Sequence, residues 1–380
     1  KQNKNIKCHS YNESYNYSYM NFRERSNLLS WLDPIFSPKS HQQNIVTFCM
    51  RDLHIVSDYV KKRGLKKTRV THLLLHPLDH LYLGQTILNK LTSMIFNRSY
   101  FSENQNIALN FKILNQLAES GSLIPMNFNT LKRVNFDTGI NLKHEDIIPL
   151  PFYEHFEMDF KMPSSSDYRE NISIVWLGRI VDFKIPAIKA MIDFVSSQSG
   201  FTFDIIGYGN ESVIAKYISK SKAHDKVKIL GKINLPDLKK ILSKYDVGYA
   251  MGTSMAELTV CGLPTIVALA SPDFRSFDDP LCAGLVFEQK AGNVGDNLYC
   301  LPLYEQKNPS IDNAMNLIKK NPEECLLKSL SHLESNFSLT ENICKYKKVI
   351  ELPKAVFFKD ISIPYASCFR KMLYKTYSLL

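Results

Sequence analysis

Ile172-Ser173-Ile174-Val175-Trp176-Leu177 runs directly into Gly178-Arg179, with Lys184 a few residues on. Downstream, Gly252-Thr253-Ser254-Met255-Ala256-Glu257 leads through Leu258 and Thr259 to Cys261-Gly262-Leu263-Pro264. The first stretch reads as a buried strand that delivers an Arg and a Lys to one loop. The second follows another apolar run and delivers a small polar turn and a carboxylate. Around them the pattern predicts further strands at Thr202–Ile206, Val227–Leu230, Val247–Ala250 and Thr265–Leu269. Helices are expected at 186–197, 211–221, 235–245 and 255–261. Strands and helices alternating at this spacing indicate an α/β fold with a parallel sheet covered on both faces. Ligands of such sheets bind outside the carboxyl ends of the strands. Arg179, Gly207, Gly231 and Gly252 each fall just after a strand, which places them on one rim.

Outward from this stretch the reading is coarser. Residues 1–44 are rich in Asn, Tyr and Ser, with a short strand expected at Ile6–Cys8 and a helix at 23–32. A helix is expected from Thr47 to Arg63, with Leu53, Val56 and Val60 on one face and Gly64 as its stop. A strand at 69–76 ends in His76-Pro77, helices follow at 82–96 and 103–118, and a short apolar strand is expected at 146–151. Met162-Pro163-Ser164-Ser165-Ser166-Asp167-Tyr168 is the best linker in the chain. At 380 residues two domains are the natural expectation. They are read as 1–162 and 171–345, followed by a tail at 346–380. In the tail, Tyr365, Phe369, Met372, Leu373, Tyr377 and Leu380 follow helical spacing, with Arg370, Lys371 and Lys375 between them. That stripe suits either an anionic lipid surface or packing as an ordinary terminal helix.

The formal charge of +10 favours partners that carry phosphate or an anionic surface. No zinc-finger spacing or RNA-binding signature accompanies it, so nucleic acid is not expected as a partner. The eight cysteines show no C-x-x-C spacing, which fits free thiols in a reducing cytosol. No apolar run reaches the roughly 18 residues of a membrane span, and no signal peptide is expected. The chain begins at Lys1 without an initiator Met, so its start is expected to be truncated or divergent.

Arg179 offers a planar fork for phosphate and Lys184 a flexible point charge, and both can reach one diphosphate from a single loop. Gly252, Thr253 and Ser254 open a helix whose free amides suit an anion. Glu257 stands at S-x-x-E spacing from Ser254, so a capping box is its competing reading. Gly207-Tyr208-Gly209 and Gly231-Lys232 suit either close approach to a nucleotide or ordinary turns. His72, His76 and His80 recur at four-residue spacing, but a strand end is no helix face, and no metal site is read there. His76 suits either an acceptor-side role or a satisfied structural histidine.

Together these residues resemble the retaining glycosyltransferases of family 4. Gly178-Arg179 with Lys184 matches that family's G-R-x4-K element, Gly207-Tyr208-Gly209 its G-x-G loop and Leu230-Gly231 its L-G loop. Glu257 with Gly262-Leu263-Pro264 matches the end of its E-x7-E and G-x-P segment. The match covers residues 172–269. It implies the GT-B fold, two Rossmann-like domains facing across a cleft. It further implies that Arg179 and Lys184 hold the donor diphosphate, Gly252, Thr253 and Ser254 touch it, and Glu257 binds the ribose. Gly207, Gly231 and Lys232 would line the nucleotide, and His76 would lie near the sugar.

Two departures stand out. The first Glu of E-x7-E, which usually contacts the donor sugar, falls on Tyr249. The N-terminal glycine-rich acceptor loop is missing. The implied activity is retaining transfer from a nucleotide-diphosphate sugar to a glycan, lipid-linked at the inner face of the plasma membrane, in capsule or O-antigen assembly. No metal and no cofactor are expected beyond the donor itself. Two alternatives stay open: a non-catalytic GT-B-like protein and a nucleotide-sugar epimerase of the same fold.

Overall fold

The computed structural model describes residues 29–30, 32–33, 43–65, 68–81, 100–152, 162–164, 171–271, 277, 280–299 and 308–351. The strand expected at Ile6–Cys8, the helix at 82–96, most of the helix at 23–32, the linker beyond Ser164 and the aromatic, basic stripe of the tail lie outside them. The chain forms two compact units. The first holds the described residues through Leu73 and those from Asp79 to Leu123, and the second holds Leu74–Leu78 and those from Ile124 onward.

In the first unit β1 (Gln43–Thr47) pairs in parallel with β2 (Thr68–Leu74), joined by α1 (Met50–Lys62). Here the sequence reading needs correction: Thr47 ends a strand rather than starting a helix. The Ile45-Val46-Thr47 run is β-branched, which favours the pleated conformation. The expected apolar face of α1 is buried at Leu53, Val56 and Val60, and Gly64 ends the turn with a φ of 61°. α2 (Tyr100–Glu119) follows, with Ile113, Leu114 and Leu117 fully buried. A short strand, β3 (Leu123–Pro125), starts at the last residue of this unit and continues into the second; it had no expectation in the sequence.

The second unit opens with α3 (Phe128–Thr138), capped by the Asn127 side chain and closed by Gly139 at φ 72°. No strand forms at 146–151. Ile147 and Ile148 are buried, but Pro149 and Pro151 have no amide to give a ladder. The Ile148 amide instead bonds the Pro125 carbonyl at 3.1 Å.

From there the expected alternation appears nearly residue for residue. β4 (Ile172–Leu177), α4 (Ile185–Ser197), β5 (Phe201–Ile206), α5 (Glu211–Ile218), β6 (Val227–Gly231), α6 (Leu235–Leu242), β7 (Val247–Ala250), α7 (Thr253–Val260) and β8 (Thr265–Val267) follow in turn. The sheet order is β6-β5-β4-β7-β8-β9, parallel except for β9 (Gly284–Leu285), which runs antiparallel to β8. Three helices close the described chain: α8 (Ile311–Lys320), α9 (Pro322–Phe337) and α10 (Leu339–Glu351).

β4 is apolar at every position but Ser173 because both faces of the sheet are covered. Ile172, Ile174 and Trp176 pack with α4 and α8 on one side. Val175 and Leu177 pack with α7 and the end of α9 on the other. Strand order reverses at β4. β5 and β6 lie on one side of it, β7 and β8 on the other. Such a switch point opens a crevice at the carboxyl ends of the two central strands, here at Gly178 after β4 and Gly252 after β7.

Candidate functional site

A cavity of about 610 Å³ lies at this switch point, and every residue of its wall belongs to the second unit. Pockets of this size hold nucleotide-sized ligands. The wall includes His76, Gly207, Gly252, Thr253, Ser254, Glu257, Arg179, Lys184 and Lys232. Of the nucleotide-loop residues singled out in the sequence, Gly209 and Gly231 are absent from that wall; the Gly231 carbonyl accepts the Gly207 amide at 2.9 Å.

The loops after β4 and β5 interlock through backbone. The Ile180 amide donates to the Tyr208 carbonyl and the Asn210 amide to the Ile180 carbonyl, each at 2.8 Å. A Cβ on residue 207 would lie 2.0 Å from the Gly178 oxygen, and one on residue 209 would lie 2.3 Å from the Ile180 oxygen. The Gly207-Tyr208-Gly209 motif is therefore glycine for close approach of two protein loops. Tyr208 between them is exposed and carries the Lys232 ammonium 5.6 Å from its ring centre.

Lys184 ends a 3₁₀ turn, Asp182–Lys184, that swings the chain from Gly178 back into α4. Its Nζ lies 5.9 Å from the ring centres of both Trp176 and Phe183. The Trp176 indole is held in turn by a 3.1 Å bond from Nε1 to the Gly178 carbonyl. Burial of Lys184, reinforced by the neighbouring Arg179 charge, pulls its ammonium down to about 8. Arg179 itself is exposed at the mouth.

Gly252 takes φ 70° and ψ −150°, a conformation open to glycine almost alone. Its amide bonds the Val294 carbonyl at 2.9 Å. It is the N-cap of α7, so Thr253 and Ser254 occupy the first turn, where helix amides lack intrahelical partners. That position decides the competing reading of Glu257. A capping box needs Ser254 as N-cap, and Gly252 holds that place with no side-chain cap bond. Glu257 stands one turn further along, facing the cavity, and partial burial raises its carboxyl above the ordinary range. Among the described residues no hydrogen bond or ion pair engages that carboxylate.

His76 sits on the same wall, its Nδ1 accepting the Leu78 amide at 3.1 Å and its ring edge-on to Tyr299 at 4.8 Å. In the neutral ring the proton therefore resides on Nε2. His72 and His80 are buried in the first unit, His72 against Thr47 at 2.8 Å. Among the described residues no group of three or more His, Cys, Asp and Glu side chains is placed to hold a metal ion. No described helix is long and apolar enough to cross a membrane.

No family model and no curated protein matches the sequence. Solved structures do match. TarM superposes with a TM-score of 0.50 at 13% identity over 87% of this chain. HepE from Anabaena, solved with UDP, gives 0.51 at 11% identity, covering 86% of this chain and 82% of its own. A glycosyltransferase from Rickettsia africae ESF-5 gives 0.51 at 12% identity, covering 91% and 85%. The chain has the GT-B fold. It spans 58% of the TarM chain.

Two parts of the wall had no expectation in the sequence. One is Phe183, whose ring flanks Lys184. The other is the segment 294–299, which contributes Val294, Gly295, Asp296 and Tyr299. Asp296 is buried, and its carboxylate accepts Asn127 Nδ2 at 2.9 Å and Asn129 Nδ2 at 2.7 Å. The only trace of it in the sequence is the Gly292-Asn293-Val294-Gly295-Asp296-Asn297 cluster, a turn signal that says nothing of a cavity.

Proposed function

We propose that the protein is a glycosyltransferase whose cleft takes a nucleoside-diphosphate sugar and passes the sugar to a glycan acceptor with retention of configuration. The observation that carries this reading is the convergence of Lys184 Nζ and Ser254 Oγ over Gly178, at the switch point of a parallel sheet. Both lie within 3.6 Å of the place a Gly178 Cβ would occupy. Arg179 and the first-turn amides of α7 complete an anion site there.

Arg179 and Lys184 hold the diphosphate and take up negative charge as it departs. Groups fixed beforehand where charge develops lower the barrier without reorganising during the reaction. Glu257 accepts hydrogen bonds from the ribose hydroxyls, Lys232 and Tyr208 flank the base, and His76 faces the sugar. The UDP held by HepE makes a uridine nucleotide the first donor to try. The acceptor is proposed as a lipid-linked glycan at the inner face of the plasma membrane, in surface-polysaccharide assembly, with residues 1–162 as the acceptor side. The net charge of +10 is what supports an anionic surface as partner. No metal is assigned a role, since the two cations already oppose the diphosphate charge.

The test is sugar transfer from a panel of uridine, guanosine, adenosine and thymidine diphosphate sugars. Activity that survives intact in Arg179→Ala with Lys184→Ala overturns the assignment. One observation favours a second, non-catalytic reading: Tyr249 stands where the family has a carboxylate, and it is fully buried with its hydroxyl on the Ala187 carbonyl at 3.1 Å. Nucleotide binding without transfer to any acceptor would select that reading.

A further inference from the structure

A second carboxylate lines the cleft besides Glu257, and the reading above gives it no work. Asp296 is buried, and among the described residues no Lys or Arg pairs with it. A buried carboxylate without a cation is costly and persists only where hydrogen bonds or a function compensate it. Here two neutral amides do so, one on each oxygen. Asn127 Nδ2 donates to Oδ2 and Asn129 Nδ2 to Oδ1. Both donors are themselves fixed. Asn127 caps α3 by accepting the Thr130 amide at 2.7 Å, and Asn129 also donates to Asn293 Oδ1 at 3.0 Å. That same Asn293 oxygen accepts the Gly295 amide at 3.2 Å, which holds the turn bearing the carboxylate. The Asp296 backbone amide is a third donor to the carboxylate, so of the four acceptor sites of its ionised form one is left for a ligand.

Position separates the two acids. Gly252 N–H bonds the Val294 carbonyl, two residues before Asp296, so Asp296 belongs to the Gly252 end of α7. Glu257 lies further along that helix, about 7 Å on by helical rise. The anion site of Lys184 and Ser254 is at the Gly252 end. A nucleoside-diphosphate sugar carries hydroxyls on both sides of its diphosphate, on the ribose and on the sugar. With Glu257 assigned to one set, Asp296 is the acid left for the other, and His76 shares its part of the wall.

We propose that Asp296 accepts a hydroxyl of the donor sugar and sets which sugar the cleft takes, standing in for the acid that Tyr249 does not provide. This rests on the donor-site reading of the same cleft. Burial raises the Asp296 carboxyl above its ordinary range, and the Asn129 and Asn127 donors, its own amide and the nearby His76 offset part of that rise.

The experiment compares wild type with Asp296→Asn by titration calorimetry. The probes are UDP, GDP, ADP and dTDP, and the glucose, galactose and mannose derivatives of whichever binds. The expected result is unchanged affinity of the variant for the bare diphosphate. Its discrimination among the epimeric sugars falls by roughly ten- to hundredfold, the weight of a hydrogen bond to a charged group. If Asp296→Asn does not fold, Asp296→Glu, which keeps the charge but moves it, must shift the sugar ranking in the same assay. A variant that ranks the sugars as wild type does overturns the proposal, as does a wild type that binds the diphosphate but ranks none of them. A wild type that binds no diphosphate overturns the donor-site reading itself, so the two failures are distinct.

Discussion

Lys184 and Ser254, distant in sequence, meet at Gly178. A Cβ there would lie 3.5 Å from Lys184 Nζ and 3.6 Å from Ser254 Oγ. The strand ends of β4 and β7 bring them together because those strands are neighbours in the sheet, although β5 and β6 intervene in the chain.

The first prediction concerns the two cations. Arg179→Ala with Lys184→Ala should lower nucleotide-sugar turnover by about 10²- to 10³-fold, the effect of deleting fixed charge-stabilising groups. The melting temperature should not fall, since Arg179 is exposed and a buried ammonium opposes folding. Steady-state kinetics beside a thermal melt checks both.

pH dependence follows from Lys184. Burial holds its ammonium down at about 8, so near that pH the free protein carries it partly neutral. A bound diphosphate favours the charged form and must draw a proton in. Calorimetry at pH 8 in buffers of different ionisation enthalpy should show proton uptake, absent in Lys184→Ala. Affinity should weaken as pH rises above 8. The stability linkage has the opposite sense. The unfolded chain keeps its Lys proton to a higher pH, so this group's destabilisation is present below 8 and fades as pH rises toward 10.5.

Two glycines should fail for different reasons. Gly207→Ala places a Cβ 2.0 Å from the Gly178 oxygen, backbone against backbone, and should cost about 3 kcal/mol or more. Gly252→Ala meets nothing within 4 Å but must hold φ 70°, which should cost about 1–3 kcal/mol. Urea unfolding measures both. Gly207→Ala should also lose nucleotide binding, since it parts the loops that carry Tyr208 and Arg179.

Glu257→Gln should behave in the contrary way. Partial burial raises the carboxyl, so its charge opposes folding near neutral pH, and the variant should melt no lower than wild type. Nucleotide affinity should fall about tenfold, and the preference for ribose over deoxyribose nucleotides should vanish with it. A thermal-shift panel of the paired nucleotides reads both effects.

The legibility of the chain is uneven for physical reasons. β4 is predicted to the residue because both its faces are buried, so that Ile172 to Leu177 is an apolar run broken only at Ser173 and closed by glycine. β3 is three residues long, too short for a period, and its neighbour at 146–151 offered a better apolar pattern that prolines keep out of any ladder. α3 is signalled only by its Asn127 cap and Gly139 stop, with polar residues buried at Asn129, Thr130 and Arg133 that break its apolar face. In the site, Arg179 and Gly252 stood out because each follows a recognisable strand within two residues, and Lys184 and Glu257 because of their spacing from them.

From the sequence alone came the alternation of strand and helix, and with it the rim on which the basic loop and the α7 turn stand. Those are local matters: period, β-branching, and glycine where the chain must bend. Tertiary structure alone decided that Gly252 rather than Ser254 caps α7, which frees Glu257 for the cavity. It alone decided that Gly207 is a seat for the Gly178 carbonyl, that Trp176 and Phe183 flank Lys184, and that Asp296 arrives at the same wall. Each depends on which atoms meet across the sheet, and no residue's neighbours along the chain encode that distance.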